Sequence, residues 1–384
     1  MIPYGKHDIN QTDIDSVVDV LQSDFLTQGP QVPLFEKTVS DYCCAEYGVA
    51  ANSATSALHI ACLSLGLGEG DWLWTSPNSF VASANCGLYC GAKVDFVDID
   101  PKTYNLSPQA LEEKLMQAEK NNKLPKVIIP VHFAGQSCDM EKIHNLSKKY
   151  GFRVIEDASH AIGGKYKNQP IGSCKYSDIT IFSFHPVKII TTGEGGMALT
   201  NSSELAKKMR LLRSHGITRD DDLMTKKPDG LWYYEQVDLG FNYRMTDIQA
   251  ALGLSQFNRL DKFVQKRHYI AEQYSSLLSD LPIKSQLQPK GYYSGMHLYV
   301  IQLQLDKLTK SHRCIFEELR KNILVNLHYM PVHLQPWYKK MGFSEGDFPE
   351  SEEYYKRAIT IPCYPGLKDR ELHKVSEILH KVIK

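Results

Sequence analysis

The chain has 384 residues, 42% of them hydrophobic and 23% charged, and its 44 basic and 44 acidic side chains cancel to no net charge. This is an ordinary globular composition, long enough for one large and one smaller domain; it excludes bulk attraction to nucleic acid or to a membrane surface, though not a local basic pocket. No apolar run approaches the ~20 residues needed to cross a bilayer, and the opening MIPYGKHDINQTD has no basic leader before an apolar stretch, so a cytoplasmic protein is expected.

Residues 11–22 carry apolar groups at helical spacing (Ile14, Val17, Val18, Val20, Leu21), and residues 33–45 do the same. The small-residue segment Asn52-Ser53-Ala54-Thr55-Ser56-Ala57 leads into an apolar helix over Leu58–Leu65. Its Ser and Thr are natural caps, and Gly66 is a natural stop. Strand-like runs follow at Trp72–Ser76, Val94–Ile99, Val127–Phe133, Arg153–Ile155, Ile179–Phe184 and Met197–Thr200, several separated by helical stretches at 107–119, 141–150 and 203–213. Strands alternating with helices predict a mostly parallel sheet covered on both faces, with ligands beyond the carboxyl ends of its strands. From about residue 255 the pattern changes to a long helix (Ser255–Leu278), extended pieces (Leu298–Leu305, Val325–Tyr329) and helices over Ser311–Lys321 and Asp369–Val382. The expected organisation is a large α/β domain over 1–255 and a smaller α+β domain over 256–384.

Nine cysteines without a CxxC pair argue against a disulfide framework and a cysteine zinc site. The fourteen histidines include no HExxH or comparable spacing, so no metal is expected.

Three features converge on one chemistry. The strand Arg153-Val154-Ile155-Glu156-Asp157 ends in two carboxylates. Some thirty residues on stands Ser183-Phe184-His185-Pro186-Val187-Lys188, followed by the turn Thr191-Thr192-Gly193-Glu194-Gly195-Gly196. Each alone is weak, since a strand-end Asp is usually a cap and a lysine beside a glycine turn is usually solvated. In this order they suit pyridoxal phosphate (PLP). Its aldehyde needs a lysine amine that is neutral often enough to attack, and partial burial lowers a lysine's pKa. Its ring nitrogen needs a carboxylate to stay protonated, for which Asp157 is the candidate. Glu156 has the weaker claim because neighbouring strand residues face opposite ways. Its phosphate needs backbone N–H groups at a helix N-terminus and hydroxyls, which the Asn52–Ala57 segment and Ser183 supply. Phe80, on a loop after a strand, could stack on the ring; otherwise it reads as a core aromatic.

The runs FLTQGP (25–30), NSATSALH (52–59), PNSFVASAN (77–85), PVHFAG (130–135), VIEDASHAIG (154–163), SFHPVKIITTGEGG (183–196), FNYRMTDIQAALG (241–253) and LHYMP (327–331) resemble the DegT/DnrJ/EryC1/StrS sugar aminotransferase family, in order and along nearly the whole chain. The resemblance implies PLP-dependent fold type I, the aspartate aminotransferase-like architecture, working as a homodimer with shared sites. It makes Lys188 the cofactor-bearing and proton-moving lysine and Asp157 the pyridinium partner, with His160 near the cofactor's 3-hydroxyl. Phe80 stands at the stacking position, and Ala54, Thr55 and Ser183 match cofactor-phosphate positions. Asn242 matches a residue that reaches the phosphate of the partner subunit's site. The most similar branch is that of pseudaminic acid biosynthesis, which implies L-glutamate as donor and a UDP-linked 4-keto-6-deoxy-N-acetylhexosamine as acceptor. Tyr4, Asp24, Phe25, Leu26 and Thr27 (within an N-terminal segment, 1–30) and Leu327, His328, Tyr329 and Met330 would contact that sugar. Against the branch using UDP-4-keto-arabinose, this chain departs at Asn242-Tyr243-Arg244 and has Phe80 in place of Trp. Residues holding the nucleotide diphosphate stay open, with Arg213, His215 and Arg244 as possibilities. Sugar 3-dehydratases of the same fold replace the lysine by histidine, so Lys188 speaks against that reaction. A non-enzymatic regulator lacks any helix-turn-helix or basic patch to support it.

Overall fold

A computed structural model describes all 384 residues. The first predicted helix forms over Gln11–Leu21 and is fixed at its start by a reciprocal cap: the Asn10 side chain accepts from the Asp13 N–H, and Asp13 accepts from the Asn10 N–H. Asp13 is buried and also receives Ser255 Oγ at 2.6 Å and Gln256 Nε2 at 2.7 Å. Those contacts fasten the first helix to the Asp247–Phe257 helix. The Ala54–Ser64 helix begins under a Ser53 side-chain cap and stops where Gly66 takes φ +74°.

The central sheet has seven strands in the spatial order Lys93–Phe96, Trp72–Thr75, Val127–Ile129, Arg153–Asp157, Ile179–Ser183, Gly196–Thr200, Tyr47–Ala51. Gly196–Thr200 runs antiparallel to both neighbours, and the other six are parallel to one another. Its middle strands are apolar on both faces. Val127, Ile129, Ile155 and Ile181 pack with the helix residues Leu58 and Ile60, whereas Ile128 and Val154 pack on the other side with Leu111, Leu115 and Ile143. Burial on both sides explains why these segments read as continuous apolar runs rather than alternating ones. Trp72–Thr75 lies between Lys93–Phe96 and Val127–Ile129, so the chain winds outward from it and then returns on its other side. That reversal opens a crevice at the carboxyl ends of the strands.

The C-terminal region builds a second core around an antiparallel three-stranded sheet, Ile283–Ser285, Tyr299–Leu303 and Ala358–Ile361, packed against helices Leu260–Leu277 and Asp369–Ile383. Ile2 belongs to that core, and Ile2–Pro3 pairs in parallel with Ile323–Leu324. The N-terminus is thereby stitched to the far end of the chain, and Tyr4 comes to lie 5.1 Å, centroid to centroid, from His328.

Two expected elements differ. The long helix over Ser255–Leu278 is two helices, Asp247–Phe257 and Leu260–Leu277. The break at Asn258-Arg259 lets the Arg259 guanidinium reach Asp8 at 2.6 Å and Asp13 at 2.5 Å, ion pairs that sequence periodicity does not register. The extended piece Val325–Tyr329 is not a strand, because pairing with Ile2–Pro3 ends at Leu324; after a single bridge from Asn326 to Thr360 the chain turns into the crevice. No helix is long and apolar enough to cross a membrane.

Candidate active site

The crevice holds a cavity of about 560 Å³. Its walls come from the strand ends (Val131, Asp157, Ser183), the loops after them (Phe80, His160, Lys188), the start of the Ala54–Ser64 helix, Tyr4 and the segment Asn326–Tyr329. Eleven of the expected site residues thus meet at one surface: Tyr4, Ala54, Thr55, Phe80, Asp157, His160, Ser183, Lys188, Leu327, His328 and Tyr329.

Lys188 sits on the turn that reverses the chain between the Ile179–Ser183 and Gly196–Thr200 strands. Two threonines pin that turn. Thr191 Oγ1 donates to the Phe184 carbonyl at 2.9 Å and accepts from the Gly193 N–H, and Thr192 Oγ1 donates to the Glu194 carbonyl at 2.7 Å. Burial of its ammonium pulls the Lys188 pKa down to about 8, against the opposing pull of the Asp157 charge. An amine with that pKa is neutral in roughly a tenth of molecules near pH 7.

The two strand-end carboxylates part as alternation predicts. Asp157 lines the cavity, accepting from Ser83 Oγ at 2.6 Å and from the Ser159 N–H at 3.1 Å. Glu156 points into the protein, receiving His132 Nε2 at 2.7 Å, Ser177 Oγ at 2.5 Å and Thr180 Oγ1 at 3.2 Å. Because the Cys138 N–H donates to His132 Nδ1, the ring proton lies on Nε2, toward Glu156. Burial pushes the Glu156 pKa up, but hydrogen bonding to His132 and the two hydroxyls outweighs it and leaves the carboxyl below its ordinary value.

At the start of the Ala54–Ser64 helix the Ser56 N–H is used by the Ser53 cap, while the N–H groups of Ala54 and Thr55 precede any intrahelical acceptor. Gly196 makes that helix start possible where it is. A Cβ at Gly196 would meet Ala54 N at 2.4 Å and Ala54 Cα at 2.5 Å, so only glycine lets the strand pass under the turn. Ser183, paired with Gly196 in the ladder, brings its hydroxyl to the same end of the cavity.

Across the cavity Phe80 is 58% exposed, which rules out the core-aromatic reading and leaves a free ring on the wall. Tyr329 and His160 are joined at 3.2 Å through the phenol and Nε2. Burial raises the Tyr329 phenol pKa, and burial with the nearby Lys188 charge holds His160 well below its ordinary range. A protonated phenol donating to Nε2 leaves the ring proton on Nδ1, which is buried and has no acceptor in the protein.

That orphaned donor, the free helix-start N–H groups, two cavity hydroxyls, an exposed aromatic ring, a clamped carboxylate and a lowered lysine fit the donor set that PLP requires. The cofactor's phosphate would be held by Ala54, Thr55 and Ser183, its ring by Phe80 and Asp157, its phenolic oxygen by His160 and its aldehyde carbon by Lys188.

Other expected residues lie elsewhere in the single chain. Asp24, Phe25, Leu26 and Thr27 are exposed, docked by the Asp247 N–H to the Leu26 carbonyl and by a bridge from Thr27 to Thr246. Met330 falls just beyond the lining segment, and Asn242 is exposed on an edge that bridges Ser214. Arg213 is committed to Glu36 at 2.5 Å and to the Ala50 carbonyl at 2.7 Å, which removes it as a nucleotide ligand. His215 is exposed and Arg244 half-buried, neither in an ion pair. Sequence reasoning missed His297, whose ring lies 4.5 Å from that of His160, and Ser83 beneath Asp157. Ser83 stood in a motif already singled out. Nothing in the local pattern around His297 marked it, because only the meeting of the two cores brings it to the cavity.

The DegT/DnrJ/EryC1/StrS aminotransferase family matches residues 7–380. The spore coat polysaccharide biosynthesis protein SpsC of Bacillus subtilis is 38% identical over 100% of this chain and 97% of its own. The UDP-4-amino-4,6-dideoxy-N-acetyl-beta-L-altrosamine transaminase of Campylobacter jejuni is 37% identical over 100% and 98%. The solved structure of Helicobacter pylori PseC, described as an aminotransferase involved in the biosynthesis of pseudoaminic acid, matches with a TM-score of 0.90 at 32% identity, covering 99% of this chain and 98% of that one. The fold is therefore that of the PLP-dependent fold type I transferases, as expected from the sequence.

Proposed function

The chain belongs to the DegT/DnrJ/EryC1/StrS aminotransferase family, and from that premise we propose that it transfers the amino group of L-glutamate to C4 of a UDP-linked 4-keto-6-deoxy-N-acetylhexosamine, as in pseudaminic acid biosynthesis. One observation carries the chemistry: a lysine with a pKa near 8 and a clamped carboxylate, Lys188 and Asp157, face one cavity that also holds the free N–H groups of a helix start. The relatives named for the altrosamine transaminase and for pseudoaminic acid biosynthesis support the sugar.

PLP, when bound, supplies an electron sink that makes the donor's Cα proton labile. Asp157, as a carboxylate, would accept the hydrogen bond of the ring nitrogen and so keep that nitrogen protonated. Lys188 Nζ would carry the proton from the donor Cα to the cofactor's C4′ in the first half-reaction and from C4′ to C4 of the sugar in the second. Neutral His160, fixed by Tyr329, offers its Nδ1 proton as a hydrogen bond without adding charge. Tyr4, Leu327 and His328 form the wall against which the sugar lies. We place Asp24–Thr27 and Asn242 in the partner's site of a homodimer: they are exposed in one chain, as are Leu231 (99%), Trp232 (74%) and Leu239 (77%), apolar surface of the kind a second subunit covers.

The test has three arms. Purified protein with PLP acquires the visible absorbance of a lysine-bound cofactor, and Lys188→Ala does not; a colourless wild type refutes the chemistry. A panel of UDP- and dTDP-linked 4-keto sugars with glutamate then identifies the acceptor. The SpsC likeness favours, as a second reading, another nucleotide-linked 4-keto sugar, which the same panel separates. Sedimentation reads the dimer, and a monomer active at every concentration excludes shared sites.

A further inference from the structure

Asp157 is gripped from two directions. Its own strand's turn supplies the Ser159 N–H to Oδ1 at 3.1 Å. The second grip comes from another element: Ser83 Oγ reaches Oδ2 at 2.6 Å from the second position of the Ala82–Tyr89 helix. Ser83 is fully buried, so no water competes for that hydroxyl. Behind it, Ser79 Oγ lies 2.8 Å from Ser83 Oγ. The Ser83 proton is committed to the carboxylate, so Ser83 Oγ is an acceptor toward Ser79, whose own hydroxyl proton also faces the Phe80 carbonyl at 3.0 Å. Phe80, the exposed ring on the cavity wall, stands between them in the chain.

We propose that Ser83 is a positioning residue: it fixes the plane of the Asp157 carboxylate relative to the Phe80 ring, and through Asp157 it sets how firmly the cofactor's ring nitrogen holds its proton. The physical basis is ordinary. A buried hydrogen bond to a carboxylate stabilises the charged form, and its removal makes the carboxyl more basic. A more basic Asp157 competes with the ring nitrogen for the shared proton and weakens the electron sink. The Ser159 N–H alone leaves one oxygen free to swing. This inference rests on the PLP reading, and its first arm is chosen to run without cofactor.

In that arm, cofactor-free protein carrying 13C-labelled aspartate is titrated by infrared difference spectroscopy, with Asp157→Asn identifying the band. Ser83→Ala moves the Asp157 midpoint upward, and Ser83→Thr, which keeps the hydroxyl, restores it. In the loaded enzyme Ser83→Ala lowers kcat by about tenfold or more, moves the acid limb of the kcat profile upward by the same shift and changes the sugar KM less than twofold. If Ser83→Ala loses the native circular dichroism, the near-isosteric Ser83→Cys, a weaker donor, shows the same shift in smaller measure. An unmoved Asp157 midpoint in the folded variant overturns the proposal. So does a variant that only melts earlier while its acid limb stays in place. A wild type that never binds PLP sinks the cofactor reading instead, and the infrared arm still decides what Ser83 does to Asp157.

Discussion

Gly196→Ala isolates the packing that sets the Ala54–Ser64 helix start, where the proposed function puts the cofactor's phosphate. Gly196 does not have a positive φ, so alanine meets no backbone strain there and the effect is one of space alone. The new Cβ would lie 2.4 Å from Ala54 N, 2.5 Å from Ala54 Cα and 2.6 Å from Ser53 C, all backbone atoms, where ordinary contact begins at 3.4 Å. The gap to recover is 3.4 − 2.4, or about 1 Å. The strand is held at Gly196 by Ser183 on one side and Ala51 on the other, so the helix start is the part that moves. Overpacking of this kind costs about 1–3 kcal/mol of stability. A 1 Å retreat also takes the Ala54 and Thr55 N–H groups out of hydrogen-bond range of a phosphate. Losing one such bond to a charged group, about 1.5–3 kcal/mol, weakens cofactor binding by roughly tenfold to a hundredfold. Apoprotein titrated with PLP by absorbance, beside a thermal melt, measures both effects. Gly68→Ala is the control, since its Cβ meets nothing within 4 Å. Cofactor affinity within twofold of wild type in Gly196→Ala would refute the cradle, because no backbone shift would then have reached the bound phosphate.

The remaining expectations are quicker to state. Labelling of Lys188 by an amine-acylating reagent, followed by mass spectrometry on apoprotein, should rise through a midpoint near pH 8; a midpoint at the ordinary lysine value would mean the amine is not desolvated. Asp157→Asn should stay folded and lose transamination by orders of magnitude, the ring nitrogen no longer being held protonated; near-normal turnover would show the wrong carboxylate was chosen. Glu156→Ala leaves the His132, Ser177 and Thr180 donors without their shared acceptor and should cost about 1–3 kcal/mol in urea denaturation. Glu156 is depressed in the folded state, so its contribution is present above its ordinary value of 4.5 and fades as the pH falls below it. Wild type should therefore lose its advantage over Glu156→Gln on acidification. An advantage that grows instead would reverse the assignment of charge.

Much of the site was legible because its parts are local. A capping serine before an apolar run, a strand ending in acids and a lysine before a glycine turn each state their geometry within a dozen residues, and alternation alone separated Asp157 from Glu156. Phe80 was undecided between core and cavity, because a loop aromatic has the same local pattern in either place. Arg213 was open for a similar reason: nothing near it in sequence announces Glu36, 177 residues away.

The amino-acid sequence by itself determined the alternation of strands and helices and the family, and nominated the lysine and its carboxylate, because side-chain periodicity and motif order are one-dimensional properties. Only the tertiary structure decided which atoms meet. It broke one predicted helix so that Arg259 could reach Asp8 and Asp13, drew Ile2–Pro3 onto Ile323–Leu324 so that Tyr4 faces His328, and put Ser83 under Asp157 and His297 beside His160. Those contacts join residues 74 to 324 positions apart in the chain, from Asp157–Ser83 to His328–Tyr4, beyond the reach of any local pattern. Burial and chain reversal, not spacing, bring them together.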